Sequence, residues 1–296
     1  MSVANKLASD IVGLISSPRL SRRGFMSTGA AATAGYTVAA GPVRAEAITT
    51  DTSGLAAGDA KVKVADGEMP VYFAKPANST NPPVILIAME IFGLHQYIKD
   101  VAHRLAKLGA FAVAPDYYFR KGDLTKISEM KELMPLVNAK PDAELMSDLD
   151  ASVAWASAQG GDTRRLGIIG FCRGGRTVWV YCANSPKVSA GVAFYGSLVD
   201  PPGQKTIWPK SPTDLASDMK APVLGLYGQA DQGIPVAQVE AMRTALAAAG
   251  KPAEFKIYPE APHGFHADYR GSYRKEAAED AWGQMTAWFK TYKVLS

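Results

Sequence analysis

A cysteine lies between glycines in the segment GFCRGG, residues 170–175, where an apolar run ends and a helical pattern begins. Cys172 therefore occupies the nucleophile position of the G-x-nucleophile-x-G turn that joins a strand to a helix. Glycines suit this turn because the backbone reverses sharply and small neighbours leave the sulfur accessible. A helix N-terminus also favours a thiolate and helps to stabilise an oxyanion. The segment predicts a nucleophilic Cys172; the alternative is a small cysteine buried in a glycine-rich turn.

An acid and a histidine follow this cysteine in the chain. Asp231 comes after one predicted strand and His263 comes after the next. The chain order nucleophile, acid, histidine, each at the carboxyl end of a strand, is that of α/β-hydrolases. Asp231 could instead be a turn former, and His263 could be a loop histidine without a partner. His266 is the reserve base, and His103, in the middle of a predicted helix, is expected on the surface.

The elements that must position these residues alternate between strands and helices. We predict strands at 61–64, 70–74, 83–89, 111–115, 165–171, 188–195, 222–227 and 254–258. We predict helices at 95–108, 141–159 and 236–249, one that begins near Cys172, and a final one that contains Trp282, Met285 and Phe289. Residues 119–141 are expected to be irregular or partly helical. This alternation favours an α/β fold with a mostly parallel, doubly wound sheet flanked by helices.

The composition is that of a folded protein, with 47% hydrophobic and 20% charged residues among 296. It excludes disordered, collagenous and coiled-coil classes. Five bases and two acids lie in residues 1–47, which leaves 27 bases and 26 acids for the rest of the chain. Because this body is nearly neutral and has no Lys/Arg-rich run, we expect no nucleic-acid partner.

The chain has two cysteines, Cys172 and Cys182. They cannot form a dense disulfide framework, and no Cys/His set with zinc-ligand spacing accompanies them, so we expect no metal site. Ten residues on one predicted helix separate them by about 15 Å along the axis. A disulfide needs Cα atoms within about 7 Å. We predict that both thiols are free.

The N-terminal segment has the features of an export signal. Arg22 and Arg23 precede an uncharged stretch, residues 24–43, that is rich in Ala, Gly and Thr, and AEA at 45–47 fits a small-x-small cleavage site. The pattern resembles a twin-arginine signal. We therefore expect residues 1–47 to be a cleaved signal peptide, 48–296 to be a single catalytic domain in the periplasm, and the twin-arginine export machinery to be a partner. A stable membrane anchor is the weaker alternative, because Ala, Gly and Thr supply little transfer free energy.

Five short segments carry a resemblance to a known family: MEIFGL at 89–94, PDYY at 115–118, GFCRGG at 170–175, GQAD at 228–231 and HGF at 263–265. With these segments in order, the chain from about residue 61 to its C-terminus resembles the dienelactone hydrolase family. The resemblance implies an α/β-hydrolase fold in which Cys172 is the nucleophile, His263 is base and acid, and Asp231 orients the imidazole. It implies no metal or organic cofactor.

The loop after the strand at 83–89 carries two further candidates. Glu90 matches a family glutamate that contacts the nucleophilic cysteine in the resting enzyme and takes part in its activation; the alternative is a solvated loop carboxylate. The backbone N–H groups of Ile91 and Arg173 are expected to form the oxyanion hole. One such donor follows the nucleophile, and the other comes from a loop after an early strand.

Candidate substrate groups lie on other loops. Arg120 matches a family arginine that holds a substrate carboxylate, and its alternative is a solvated loop residue. A second family arginine falls where this chain has Ala267, and Arg270 is the candidate substitute. Aromatic residues either wall a pocket or are ordinary packing. They are Tyr118, Tyr195, Trp208, Phe265 and Tyr269.

The sequence thus predicts a periplasmic hydrolase of small esters or lactones that forms a thioester acyl-enzyme on Cys172. One alternative is an acyltransferase or peptidase on the same scaffold. Another is a non-catalytic or thiol-sensing binding protein, since a hydrolase fold does not guarantee turnover. The physiological substrate and the oligomeric state stay open.

Overall fold

The computed structural model describes residues 47–201 and 203–296. The predicted signal peptide lies outside these residues apart from Ala47. Eight strands are present in the described part: β1 Leu55–Val64, β2 Gly67–Pro76, β3 Pro83–Ala88, β4 Phe111–Pro115, β5 Asp162–Phe171, β6 Val188–Phe194, β7 Val223–Gly228 and β8 Ala253–Tyr258. They form one sheet in the order β1-β2-β4-β3-β5-β6-β7-β8. All eight predicted strands are confirmed, with bounds that differ by a few residues.

Helices connect the strands. The six α-helices among the described residues are α1 Gln96–Lys107, α2 Met130–Asn138, α3 Asp142–Ala158, α4 Arg173–Asn184, α5 Val236–Ala248 and α6 Lys275–Thr291. Three short 3₁₀ helices span Phe119–Lys121, Leu124–Lys126 and Pro212–Asp218. The segment predicted to be irregular or partly helical therefore holds two 3₁₀ turns and α2. None of the described helices is long and apolar enough to cross a membrane.

The pairing of the strands confirms the predicted mostly parallel sheet. β1 and β2 form an antiparallel hairpin from Leu55 opposite Pro76 to Val64 opposite Gly67, and β2 pairs antiparallel with β4. Every other neighbouring pair, from β4 and β3 across to β7 and β8, is parallel. Parallel strands need crossover connections, and helices supply them. The carboxyl ends of β3, β5, β6, β7 and β8 therefore lie along one edge of the sheet.

The core lies on both faces of this sheet. All six residues of β3, PVILIA, are buried, as expected for a strand covered by helices on both sides. On α1 the apolar side chains of Ile98, Val101 and Leu105 are buried in this core. Gly109 follows the helix with φ +92°, a left-handed conformation that favours glycine and ends the helix.

The surface placement of His103 is wrong. The side chain is buried, and its Nε2 lies 2.7 Å from the hydroxyl of Tyr72 on β2. α1 packs against the hairpin strand as well as against the centre of the sheet, so a second face of the helix is covered. A polar side chain on that face needs a hydrogen-bond partner, and Tyr72 supplies it.

Candidate active site

Four titratable or nucleophilic side chains follow four strands of the parallel part of the sheet. Glu90 comes two residues after β3, Cys172 directly after β5, Asp231 after β7 and His263 after β8. Because the carboxyl ends of parallel strands lie at one edge, the topology brings these four loops together. His263 contacts Asp231, and its pKa responds to Cys172, as described below.

The turn at Cys172 is tightly constrained. Cys172 has φ +57° and ψ −116°, a strained conformation for a residue other than glycine, and it caps the N-terminus of α4. A Cβ atom at Gly170 would lie 2.1 Å from the carbonyl oxygen of Gly174, and one at Gly174 would lie 1.9 Å from that of Ala88. Only glycine permits these approaches. The start of α4 is therefore packed against the ends of β5 and β3, with the thiol at their junction.

His263 and Asp231 form a close pair. Nδ1 of His263 lies 2.7 Å from Oδ2 of Asp231. The other carboxylate oxygen accepts hydrogen bonds from the backbone N–H groups of Gly233, at 2.8 Å, and Ile234, at 3.1 Å. Asp231 is thus a turn former and a partner of the histidine at once, and both possible roles are realised. These contacts fix the orientation of the imidazole.

The electrostatics of His263 depend on Cys172 as well as on Asp231. Burial disfavours the charged imidazolium, but negative charge at Asp231 and Cys172, with hydrogen bonds to both, outweighs burial and raises the pKa of His263 to about 10. The imidazole is thus within hydrogen-bonding reach of the thiol. An arrangement of this kind can keep a proton on the imidazole while the sulfur is anionic.

Glu90 is fully buried, so it is not a solvated carboxylate. Its Oε2 accepts a hydrogen bond from the hydroxyl of Tyr269 at 2.7 Å and lies 3.3 Å from Nε2 of His95. Its Oε1 lies 3.2 Å from a guanidinium nitrogen of Arg270. Burial favours the protonated acid, but the charge of Arg270 and the contacts of His95 and Tyr269 outweigh it and lower the pKa of Glu90 to about 2. The carboxylate is held by these three residues. The resemblance implies a contact with Cys172 instead.

Arg120 requires a correction. The 3₁₀ turn Phe119–Lys121 directs its guanidinium to Asp66 in the hairpin turn and to Asp148 on α3, with hydrogen bonds of 2.6 to 3.0 Å. These hydrogen bonds raise its pKa further. Because two carboxylates already occupy the planar fork, Arg120 is not available to hold a substrate carboxylate beside Cys172.

Other predicted residues do lie near the thiol. The pKa of Tyr118 is raised to about 12 by burial, with an opposing contribution from the charge and hydrogen bond of Arg173 and a further increase from Cys172. The ring of Tyr195 lies edge-on to that of His263, with 5.1 Å between the ring centres, and also packs edge-on against Phe265 at 5.3 Å. The imidazole therefore packs against a buried aromatic ring, Tyr195, which Phe265 contacts in turn.

His266 is not a reserve base. Its Nδ1 lies 2.7 Å from the hydroxyl of Tyr97, and its ring is stacked on Trp282. Burial, aided by the positive charge of Arg104, lowers the pKa of His266 to about 3, so the ring is neutral. Tyr97 was not a sequence candidate. It is 169 positions away from His266 along the chain, and no local pattern indicates the pairing.

Both cysteines are free, as predicted. Cys182 is buried in α4, and burial raises the pKa of its thiol. In the part of the chain that the structure describes, no group of three or more His, Cys, Asp or Glu side chains is placed to hold a metal ion.

The loop after β3 is fixed by the hydroxyl of Tyr117, which donates to the carbonyl oxygen of Met89 at 2.7 Å. Met89 lies two residues before Ile91, so this contact holds the backbone that leads to it.

Comparisons with known proteins agree with this fold. The model of the dienelactone hydrolase family matches residues 69–293. A Methylorubrum extorquens protein named "Putative carboxymethylenebutenolidase" is 51% identical over 96% of this chain and 98% of its own length. A Bradyrhizobium protein named "Probable 2-oxo-3-(5-oxofuran-2-ylidene)propanoate lactonase" is 32% identical over 71% of this chain and 84% of its own. A Klebsiella pneumoniae crystal structure titled "Putative Dienelactone Hydrolase" superposes with a TM-score of 0.78 at 46% identity and covers 80% of this chain and 98% of that one.

Proposed function

The chain belongs to the dienelactone hydrolase family, and we propose that this carboxylic ester hydrolase cleaves small esters or lactones with a triad of Cys172, His263 and Asp231. The observation that carries the proposal is the His263–Asp231 pair, whose atoms lie 2.7 Å apart, together with the effect of Cys172, which helps to raise the pKa of His263. A nucleophile beside a base that a third group orients is the arrangement that covalent acyl transfer requires.

In the first half-reaction the Cys172 thiolate adds to the carbonyl carbon of the substrate, and the carbonyl oxygen takes the negative charge. The backbone N–H groups of Ile91 and Arg173 donate hydrogen bonds to this oxyanion. The intermediate collapses as the ester C–O bond breaks. The leaving oxygen takes the proton of His263, and a thioester remains on Cys172.

In the second half-reaction His263 removes a proton from water, and the resulting oxygen nucleophile attacks the thioester carbonyl. The C–S bond breaks, the thiolate leaves, and the acid product is released while His263 keeps the proton. The protonated imidazole and the thiolate are then ready for the next turnover. The raised pKa of His263 supports this resting pair.

Glu90 and Arg270 form a buried ion pair next to this machinery. In the family, the matching glutamate takes part in activation of the cysteine. For Glu90 to do so in this chain, its carboxylate has to leave Tyr269 or Arg270 and contact the thiol of Cys172. We assign Arg270 to holding the Glu90 carboxylate, with substrate contact following only if that pair separates. Tyr118 and Phe265 are the proposed walls of the substrate site.

The test is hydrolysis of a panel of aryl esters, lactones and dienelactone by the wild-type chain and by Cys172→Ala. We expect turnover that the substitution abolishes. Turnover that survives in Cys172→Ala would remove the nucleophile from the proposal. The absence of turnover on every member, together with a thiol that does not react with alkylating reagents, would favour a binding role. Added alcohols or peptides in the same assay would reveal acyl transfer or peptide cleavage.

The cellular location is a second part of the proposal. Residues 1–47 direct the chain through the twin-arginine export machinery to the periplasm, and residues 48–296 form the catalytic domain there. The support is the Arg22 and Arg23 pair, the uncharged stretch behind it and the AEA segment.

A further inference from the structure

Arg173 has an unusual position for a charged side chain. It is the first residue of α4, directly after the nucleophilic Cys172, and only 4% of its surface is exposed. Its guanidinium lies 3.6 Å from the centre of the Trp208 ring, a close cation–π stack. The indole N–H of Trp208 donates to the carbonyl oxygen of Lys140 at 2.9 Å. Because the ring is fixed in this way, the guanidinium rests on an anchored aromatic surface.

Arg173 differs from two other buried arginines, whose charges are each paired with a carboxylate. Arg176, one turn further along α4, pairs with Asp142 at 2.7 Å and with Asp200 at 2.6 Å. Arg270 likewise pairs with Glu90. Among the residues that the structure describes, no carboxylate forms an ion pair with Arg173. A buried cation without a carboxylate partner carries a desolvation cost that a bound anion would offset.

The Arg173 side chain lies near the nucleophile and near the hydroxyl group of Tyr118. Cys172 caps the N-terminus of α4 and Arg173 is its first residue, so the two are adjacent, and the charges of both affect the pKa of Tyr118, which also has a hydrogen bond with Arg173. An anion that binds the guanidinium would therefore be close to the thiol and would have a phenol as a second donor. A planar guanidinium with two parallel N–H groups suits a carboxylate best.

We propose that the Arg173 side chain, stacked on Trp208, binds the carboxylate of an anionic ester or lactone and selects such substrates over neutral ones. This inference rests on the proposed function and names a different group from Arg120, whose fork Asp66 and Asp148 fill. The backbone N–H of Arg173 serves the oxyanion, while its side chain serves the substrate charge. One residue would then bind both the oxyanion, through its backbone, and the substrate carboxylate, through its side chain.

The kinetic test compares two esters with the same leaving group, mono-4-nitrophenyl glutarate and 4-nitrophenyl butyrate. In Arg173→Met the loss of kcat/KM on the anionic ester should exceed the loss on the neutral ester by about 10- to 100-fold, because a charge-assisted contact is removed. Arg173→Lys should retain part of the preference, since it keeps the charge but not the planar fork. Lys131→Met removes one charge from the exposed surface and should leave the preference unchanged. Equal losses on both esters in Arg173→Met would overturn the proposal.

A binding test separates this inference from the proposed reaction. Cys172→Ala is titrated by calorimetry with the anilide of glutaric acid, which keeps a free carboxylate, and with the methyl ester of that anilide. We expect Cys172→Ala to prefer the carboxylate and the double variant Cys172→Ala/Arg173→Met to lose that preference. A preference that persists in the double variant, or none in Cys172→Ala, would refute the anion subsite. If the preference depends on Arg173 but the wild-type chain shows no esterase activity, the anion subsite stands and the proposed hydrolase function is rejected.

Discussion

Removal of the Glu90 charge should destabilise the protein by an amount that depends on pH. Glu90 is fully buried, and its pKa is lowered from the usual 4.5 to about 2. Each pKa unit corresponds to about 1.4 kcal/mol, so the ionised form contributes about 3 kcal/mol at pH 7. Breaking one partner of a buried ion pair costs a similar 3–5 kcal/mol or so. Glu90→Gln, which resembles the protonated acid, should therefore lower the free energy of unfolding by about 3 kcal/mol at pH 7.

The sign of the pH dependence follows from a folded-state pKa that is depressed. The contribution of Glu90 is fully present above the unfolded pKa of 4.5 and is lost as the pH falls toward 2. Urea unfolding of the wild type and Glu90→Gln should thus show a difference that shrinks to about 1.4 kcal/mol at pH 3. Glu68→Gln is the matched control, because Glu68 forms an exposed ion pair with Lys61. Equal stability of wild type and Glu90→Gln at pH 7, or a difference that is the same at pH 3, would refute this reasoning.

Three other predictions address the triad, the turn and export. Asp231→Asn removes a carboxylate that raises the pKa of His263, so an NMR titration of the ring should give a value below 10, and kcat should fall by about 10²- to 10⁴-fold; an unchanged titration would contradict the pairing. Gly174→Ala places a Cβ atom 1.9 Å from a backbone oxygen, so the free energy of unfolding should fall by about 3 kcal/mol or more in urea titrations, and wild-type stability would contradict the packing of the turn. Replacement of Arg22 and Arg23 by lysine should retain the chain in the cytoplasmic fraction of a bacterial host; periplasmic recovery would reject a twin-arginine signal.

The positions of the strands along the chain and the turn at Cys172 could be predicted because their signals are local. Apolar runs of the right length mark the buried strands, and β3 and β4 were located to within a residue. The glycines around Cys172 indicate a close approach of backbone segments, which the contacts of Gly170 and Gly174 explain. Parallel topology then places Asp231 and His263 at the same edge of the sheet, so their pairing follows from their positions after β7 and β8.

The contacts that the sequence could not provide join residues distant along the chain. The family resemblance implies a substrate role for Arg120, but its partners in the structure are Asp66 and Asp148. They lie 54 and 28 positions away along the chain, and no spacing indicates them. The side chain of Arg173 was not singled out, because its importance depends on a ring at Trp208 that a loop brings over α4. The role of a charged side chain depends on its partners, and the fold determines which partners are within reach.

The central claim is that hydrolysis passes through a thioester on Cys172. The most direct measurement is intact-protein and peptide mass spectrometry after an acid quench of the wild type and of His263→Ala mixed with a 4-nitrophenyl ester. We expect one acyl group per chain on the peptide that contains Cys172, and a longer-lived adduct in His263→Ala because deacylation lacks its base. An acyl group on another residue, or full turnover with no adduct on Cys172 at any quench time, would contradict it.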